Sequence, residues 1–285
     1  MGDPGEWPSL KILNLIGQTG FIIALSTSSS IIVFSTIFQC LPDIQLVGIV
    51  FTITMGCYTL DRLIEAIKNP NRRTRNNINV QSQYLIILFI IVLLIVGILL
   101  AFSKSMFFGI LILIAPVIVF IYSGGPKNIV IPIKNLLYLK DIIIALGWTA
   151  LILIVLIYYN LPLTFIVVLF SIAIFGKFYV MAALYDFKDV ESDLRNDIHT
   201  LPNTLGEAKT KKILHLINSL ATVWILILIY FEFIPKIGFI FFPAWVYQTI
   251  LIMGVGIKAP LWFYYLPCDL EQVFWVLFVL LLVMA

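Results

Sequence analysis

Long apolar runs alternate with short polar segments along the whole chain. Nine runs follow one another, at residues 12–38, 44–67, 84–102, 106–122, 138–159, 163–187, 213–231, 237–255 and 273–285. A helix needs about 20 mainly apolar residues to cross a bilayer, so the first eight runs are long enough and the ninth is short. The pattern predicts an all-α polytopic membrane protein, a single domain over residues 1–285 with about nine transmembrane helices.

The composition agrees with a membrane protein and excludes most soluble classes. Apolar residues make up 61% of the 285 residues and charged residues only 12%, far from the average of soluble domains. The net charge of +3 is too small to indicate a nucleic-acid partner. Cys40, Cys57 and Cys268 stand in no disulfide or metal-binding spacing, so we interpret them as ordinary apolar residues.

Basic residues are concentrated in every second loop. The loops after the second, fourth and sixth runs contain Lys68, Arg72, Arg73, Arg75, Lys127, Lys134, Lys188, Arg195, Lys209, Lys211 and Lys212. Cytoplasmic loops collect Lys and Arg. We therefore predict a protein of the cell membrane with its amino terminus and these loops on the cytoplasmic side. The ends of the second and sixth runs then lie on the same side.

Three aspartates stand at the end of the sixth run, within residues 185–206. Asp186, Asp189 and Asp193 are three and four positions apart, so on a helix they share one face. Carboxylates so close repel one another unless a cation lies among them. Oxygen ligands at this density favour Mg²⁺, and Mg²⁺ held by a few carboxylates usually also binds phosphate. A diphosphate is therefore the first ligand to consider.

Another acidic patch lies at the end of the second run, within residues 57–72. Tyr58, Asp61 and Glu65 repeat the same three-then-four spacing. Two acidic helix ends that face each other across a cavity, ringed by basic residues, would hold Mg²⁺ and the diphosphate it bridges. Such a site suits ionisation of an allylic diphosphate, because the cations neutralise the leaving group. Each patch alone also has a structural interpretation, as interfacial residues or as a solvated helix extension.

The three aspartates and the residues downstream of them resemble the UbiA superfamily of intramembrane prenyltransferases. The second motif of that family is D-x-x-D-x-x-x-D, followed by T-L-P and L-G. This motif is complete in the chain, as Asp186, Asp189 and Asp193, then Thr200, Leu201 and Pro202, then Leu205 and Gly206. The match is specific because it joins the carboxylate spacing to a signature at a fixed distance.

The first motif of the family, N-D-x-x-D-x-x-x-D followed by x-P-x-R, is eroded here. Pro70 and Arg72 align Asp61 and Glu65 with its second and third acidic positions. Cys57 and Tyr58 stand where Asn and the first Asp would be. A phenol does not replace a carboxylate as an Mg²⁺ ligand, so the first metal site is weaker or is completed by water and substrate. Tyr58 either faces a cation through its ring or is an interfacial aromatic residue.

The resemblance implies a helical bundle around a central cavity that opens to the cytoplasm and to lipid. It implies one Mg²⁺ held by Asp61 and Glu65, and another held by Asp186, Asp189 and Asp193. Asp61 and Asp189 would be the catalytic residues. The residues in contact with the diphosphate would be Arg72, Lys127 and Lys140. The implied reaction is Mg²⁺-dependent transfer of a prenyl group from an isoprenyl diphosphate to a small aromatic or lipid acceptor within the bilayer.

Other functions fit parts of the same pattern. A related enzyme could ionise the diphosphate and then cyclise or hydrolyse the prenyl group, and an eroded first motif also fits an inactive member. A cation-coupled transporter is a different class, but its sites usually lie near the bilayer midplane. A CDP-alcohol phosphotransferase is excluded because the element D-G-x-x-A-R is missing around both patches. The sequence selects neither the acceptor nor the prenyl chain length.

Overall fold

Helices are the only regular elements in the part of the chain that the computed structural model describes, residues 20–68, 83–123, 139–195 and 199–284. The α-helices are α1 (Phe21–Ile37), α2 (Ile44–Lys68), α3 (Gln83–Lys104), α4 (Met106–Ser123), α5 (Leu139–Tyr158), α6 (Phe165–Arg195), α7 (Leu201–Leu205), α8 (Glu207–Tyr230), α9 (Phe241–Gly254), α10 (Leu261–Phe263) and α11 (Glu271–Met284). A 3₁₀ helix at Lys236–Ile240 precedes α9, and a π-helical turn at Tyr264–Cys268 follows α10. The all-α prediction is confirmed.

Seven segments of the described helices are long and apolar enough to cross a membrane. They are Ile44–Ile64, Tyr84–Lys104, Met106–Ser123, Lys140–Tyr158, Phe165–Glu191, Glu207–Tyr230 and Lys236–Gly254. The apolar helices Phe21–Ile37 and Glu271–Leu282 are shorter. Together these nine segments match the nine apolar runs of the sequence, and the last is short, as expected.

The chain forms two compact units, of which the first comprises Met1–Leu25 and Gly48–Ile133. In this unit α3 and α4 pack together across the single residue Ser105, as the short connection predicts. Gly97 of α3 lies so close to α2 that an added Cβ would be 2.6 Å from the hydroxyl of Thr52. A small residue at this position lets the two backbones approach.

The second unit comprises Ser26–Val47 and Lys134–Ala285. Its packing is organised around α6, which contacts both α5 and α8, while α9 contacts α8 and α11. Phe178 of α6 packs against Trp275 with ring centroids 5.8 Å apart, and Trp275 meets Phe241 at 5.1 Å. These three rings are fully buried, so they form the core of the unit.

Helix α6 continues beyond the apolar run that predicts it. The run ends at residue 187, whereas the helix extends to Arg195 and carries all three aspartates of the second motif. The charged extension remains helical because one of its faces is buried, including Val190 and Asp193. The short helix α7 was not expected, since the sequence between residues 199 and 210 is mainly polar.

Candidate functional site

The second acidic motif occupies the last turns of α6. Asp186 and Asp193 are seven residues apart, almost two full turns, so they lie on the same line along the helix. Asp186 has no exposed surface and Asp193 only 6%. Asp189 is turned towards solvent, with 38% of its side chain exposed, and its carboxylate lies 3.5 Å from the ammonium group of Lys188. The shared face predicted for the three residues is therefore buried at two positions and open at one.

The ammonium group of Lys140 lies between the two buried aspartates. Its Nζ donates a hydrogen bond of 2.6 Å to Asp186 Oδ1 and lies 3.5 Å from Asp193 Oδ2. Lys140 is the second residue of α5, and packing of α5 on α6 brings it to the motif. Of the three basic residues predicted at the site, Lys140 is thus beside the aspartates, while Arg72 and Lys127 lie outside the described residues.

A fourth carboxylate, Asp141, lies at the same place. It is 6% exposed, and its charge acts on that of Asp186. In the described part of the chain, neither Asp141 Oδ1 nor Asp186 Oδ2 has a hydrogen-bond donor. Asp141 is not part of either motif, and sequence reasoning missed it. The only signal was an acidic residue next to a predicted functional lysine at the start of an apolar run.

Burial also raises the pKa of Asp193, the last aspartate of the motif. Desolvation raises the pKa of Asp193 from its ordinary value of 3.8 to about 6, Lys140 opposes this shift, and the neighbouring charges of Asp186 and Asp189 add to it. Asp193 is therefore easier to protonate than a surface aspartate.

The residues present suit a hard divalent cation in their chemistry. All the candidate ligands are carboxylates, and two of their buried oxygens are without donors. Within the described residues, however, no three His, Cys, Asp or Glu side chains already surround a point that would hold a metal. The position between Asp186 and Asp193 is taken by Lys140. A bound cation would need this ammonium group to move.

The downstream part of the second motif forms a tight helical corner. The backbone N–H of Thr200 donates a hydrogen bond of 2.9 Å to Asn203 Oδ1, which fixes the start of α7. Gly206 then separates α7 from α8 with φ +79° and ψ 163°, a region that is open almost only to glycine. The Leu205-Gly206 signature thus marks a required backbone turn.

The first acidic motif lies at the end of α2, in the first unit. The hydroxyl of Ser123, the last residue of α4, donates a hydrogen bond to Asp61 Oδ1. Glu65 is in the last turns of α2, and its side chain is outside the described part. The helical spacing predicted for this motif is present, and its metal-binding role stays a prediction.

Tyr58 has a defined partner within the first motif. The guanidinium group of Arg62 lies 4.3 Å from the centre of the Tyr58 ring and also donates a hydrogen bond to its hydroxyl. Arg62 is 5% exposed. The ring face of Tyr58 that could bind an external cation is therefore already in contact with the guanidinium group of Arg62.

Sequence reasoning also missed two charged residues that belong to neither motif. Lys177 of α6 and Glu271 of α11 are both fully buried. For Lys177 the signal was available, since charged residues inside apolar segments are rare and usually functional. Lys177 stands within the sixth apolar run, ten positions after the buried Val167 and nine before Asp186.

The chain resembles known proteins both in sequence pattern and in fold. The UbiA prenyltransferase family matches residues 44–267 of the chain. Two solved structures of a UbiA homolog from Archaeoglobus fulgidus share the fold, one bound to DMAPP and Mg²⁺ and one bound to GPP and Mg²⁺. They are 13% identical to the chain, with TM-scores of 0.62 and 0.63, and each match covers 97% of this chain and 99% of the other. No protein with a curated description matches. The chain is an integral membrane protein and belongs to the UbiA prenyltransferase family.

Proposed function

We propose that the protein is an intramembrane enzyme that uses an isoprenyl diphosphate together with Mg²⁺, and that it transfers the prenyl group to a small aromatic or lipid acceptor. The observation that carries this proposal is the contact of Lys140 with the buried Asp186 and Asp193 at the end of α6. It joins carboxylates suited to a hard cation with a basic group suited to a phosphate. Membership of the family and the ligands named for the Archaeoglobus fulgidus homolog support the same substrate class.

Asp186, Asp189 and Asp193 are the proposed ligands of one Mg²⁺, and Asp61 and Glu65 those of another. When bound, Mg²⁺ supplies the positive charge that stabilises the departing diphosphate. Asp61 and Asp189 are proposed as the catalytic residues on the strength of their motif positions. Lys140, with Arg72 and Lys127, is proposed to bind the diphosphate oxygens.

The contribution of the protein's own residues is electrostatic. Lys140 would donate a hydrogen bond to a diphosphate oxygen as the bond from the prenyl carbon to that group breaks and the electron pair passes to the diphosphate. The side chain of Asp186 is fully buried. A low dielectric strengthens each charge interaction at the site. The acceptor then forms a bond to the allylic carbon and releases its proton.

The distribution of basic residues supports one membrane orientation. We propose that the amino terminus and both acidic motifs face the cytoplasm, because the basic residues collect in the loops that carry the motifs. A cytoplasmic opening would give the water-soluble diphosphate group access to the site, while the prenyl chain lies among apolar side chains in the bilayer.

The proposal is tested by binding of geranyl diphosphate to the purified protein in lipid nanodiscs, with Mg²⁺ or with EDTA. Binding should require Mg²⁺ and should be lost in Asp61→Asn and in Asp189→Asn. Glu191→Gln is the matched control, because Glu191 is an exposed carboxylate on the same turns of α6. Binding that is indifferent to Mg²⁺ and to both aspartate variants would remove the proposed function.

Product analysis separates the related reactions. Transfer produces a prenylated acceptor, so diphosphate is released only when an acceptor is added. Hydrolysis or cyclisation releases diphosphate without any acceptor. A screen with aromatic and lipid acceptors therefore distinguishes a transferase from its relatives once binding is established.

A further inference from the structure

Helix α5 begins with two residues of opposite charge that both reach the second motif. Lys140 contacts Asp186 and Asp193, whereas Asp141 approaches Asp186 from the same helix end. The side chain of Lys140 is 19% exposed and that of Asp186 is fully buried. Both α5 and α6 belong to one compact unit, so these contacts are internal to it.

The contacts of the buried oxygens are incomplete. Lys140 satisfies Oδ1 of Asp186, but Oδ2 of Asp186 and Oδ1 of Asp141 have no donor among the described residues. Burying a carboxylate oxygen without a partner is costly. The pair therefore presents two free oxygen ligands at one place.

We propose that Asp141 is a further carboxylate ligand of the Mg²⁺ bound by the second motif, and that Lys140 is the cation this metal displaces. The inference rests on the proposed function, and it assigns to both residues roles that the motif does not contain. In the metal-free protein Lys140 neutralises Asp186 and Asp193. When the metal binds, the ammonium group passes to the diphosphate.

This exchange makes the metal and the diphosphate bind together. Mg²⁺ alone must displace Lys140 and leave its ammonium group without a partner in a mostly buried position, which weakens binding. Mg²⁺ that arrives with a diphosphate provides the ammonium group with a new anionic partner. Each ligand then raises the affinity for the other by the same factor, as linkage requires.

The test measures binding of Mn²⁺ alone, by the electron paramagnetic resonance signal of the free ion, to the full-length protein. Mn²⁺ takes the same oxygen ligands as Mg²⁺. Lys140→Gln should bind Mn²⁺ about tenfold more tightly than the wild type, and Asp141→Asn about tenfold more weakly, within the range seen when groups around a metal are changed. Substitutions at the adjacent residues Lys140 and Asp141 should thus change the Mn²⁺ affinity in opposite directions.

The ion pair of Lys211 and Glu207 at the start of α8, 2.9 Å long, provides the matched controls. Lys211→Gln and Glu207→Gln make the same changes of charge on α8, outside the contacts of Lys140, and should leave Mn²⁺ affinity within about twofold of the wild type. Geranyl diphosphate should raise the Mn²⁺ affinity of the wild type by roughly 5- to 150-fold, and this gain should largely disappear in Lys140→Gln.

A purely structural role for Asp141 gives a different result. The metal-free melting temperature of Asp141→Asn should equal or exceed that of the wild type, because a like-charge contact is removed, while the rise on adding Mn²⁺ should be smaller. A variant that melts well below the wild type without metal, and rises by the same amount with Mn²⁺, would overturn the assignment of Asp141.

The failures of the two proposals are distinguishable. If the wild-type protein binds no geranyl diphosphate in the presence of Mg²⁺, both the proposed function and this inference are wrong. A wild-type protein that binds it, with Mn²⁺ affinity unchanged in Lys140→Gln and in Asp141→Asn, removes this inference alone.

Discussion

The ammonium group of Lys177 donates a hydrogen bond of 2.6 Å to the side-chain oxygen of Asn218, in the fully buried interior between α6 and α8. Glu271 of α11 is the opposing charge that acts on this lysine. Gln248 connects the two, since its amide donates to the backbone carbonyl of Lys177 at 2.9 Å and to Glu271 Oε2 at 3.3 Å. Four helices thus meet at one buried polar network.

Removal of one charge from this network should destabilise the protein more than removal of both. Lys177→Met leaves Glu271 as an uncompensated buried charge, which costs about 3–5 kcal/mol in comparable sites. The double variant Lys177→Met with Glu271→Gln should recover much of the loss, because no charge remains to be buried. The measurement is the apparent melting temperature in detergent of both single variants and the double variant.

Lys104→Met is the control for the charge change, since Lys104 is exposed at the end of α3. It should shift the melting temperature little. Equal losses in Lys177→Met and Lys104→Met, or additive losses in the double variant, would contradict a coupled buried pair.

The raised pKa of Asp193 predicts a pH-dependent difference from its asparagine variant. Burial raises this pKa from 3.8 to about 6, so between about pH 4 and pH 6 the folded protein binds more protons than the unfolded chain. Stability from this group is present below pH 4 and is lost as the pH rises through 6. At pH 7 the metal-free Asp193→Asn variant should therefore be more stable than the wild type, by up to about 3 kcal/mol.

At pH 4.5 the two proteins should melt at nearly the same temperature, because Asp193 is then protonated and uncharged like asparagine. Melting curves in EDTA at several pH values between these limits measure the difference. A difference that does not change with pH would show that the pKa of Asp193 is not raised. Glu191→Gln serves as the exposed comparison on the same helix.

Replacement by alanine should destabilise the protein at Gly206 and stabilise it at Gly147. Gly206 has φ +79°, and alanine there is strained although the space around it is open. Backbone strain of this kind costs roughly 1–3 kcal/mol. Gly147 is exposed within α5 and also has open space, so alanine should stabilise the helix there by about 0.5–1 kcal/mol.

The comparison uses thermal unfolding of Gly206→Ala and Gly147→Ala in the same detergent. A loss at Gly206 with a gain at Gly147 is expected. Neutral behaviour of Gly206→Ala would mean that the corner between α7 and α8 does not depend on glycine.

The sequence predicts the helices well because apolar runs and membrane thickness determine them almost alone. The nine runs agree with the described segments, and the spacing of Asp186, Asp189 and Asp193 is enough by itself to indicate one helix face. The sequence did not show, however, that one face of this charged extension of α6 is buried. That burial depends on neighbours that the pattern does not contain.

The contacts of the site were less predictable than its motifs. Lys140 was expected near the diphosphate, but its place between Asp186 and Asp193 depends on how α5 packs on α6. Asp141 follows Lys140 and belongs to no motif, so nothing in a single sequence distinguishes it from a helix-start aspartate. The erosion of the first motif was visible, whereas the pairing of Tyr58 with Arg62 was not.

The Tyr58–Arg62 contact predicts that this tyrosine contributes to stability and not to Mg²⁺ binding. Tyr58→Phe removes the hydroxyl that accepts from Arg62 and keeps the ring under the guanidinium group. It should lower stability by about 1.5–3 kcal/mol. Tyr58→Leu should cost roughly 0.5–2 kcal/mol more, because the cation–π contact is lost as well.

Tyr84→Phe and Tyr84→Leu are the matched controls, since Tyr84 is 86% exposed. They should leave the melting temperature nearly unchanged. The second readout is the Mg²⁺ concentration needed for half-maximal binding of geranyl diphosphate, which Tyr58→Phe should not alter. A large rise in that concentration would instead assign the Tyr58 hydroxyl to the metal site, and would mean that the first motif retains a third ligand where the family has aspartate.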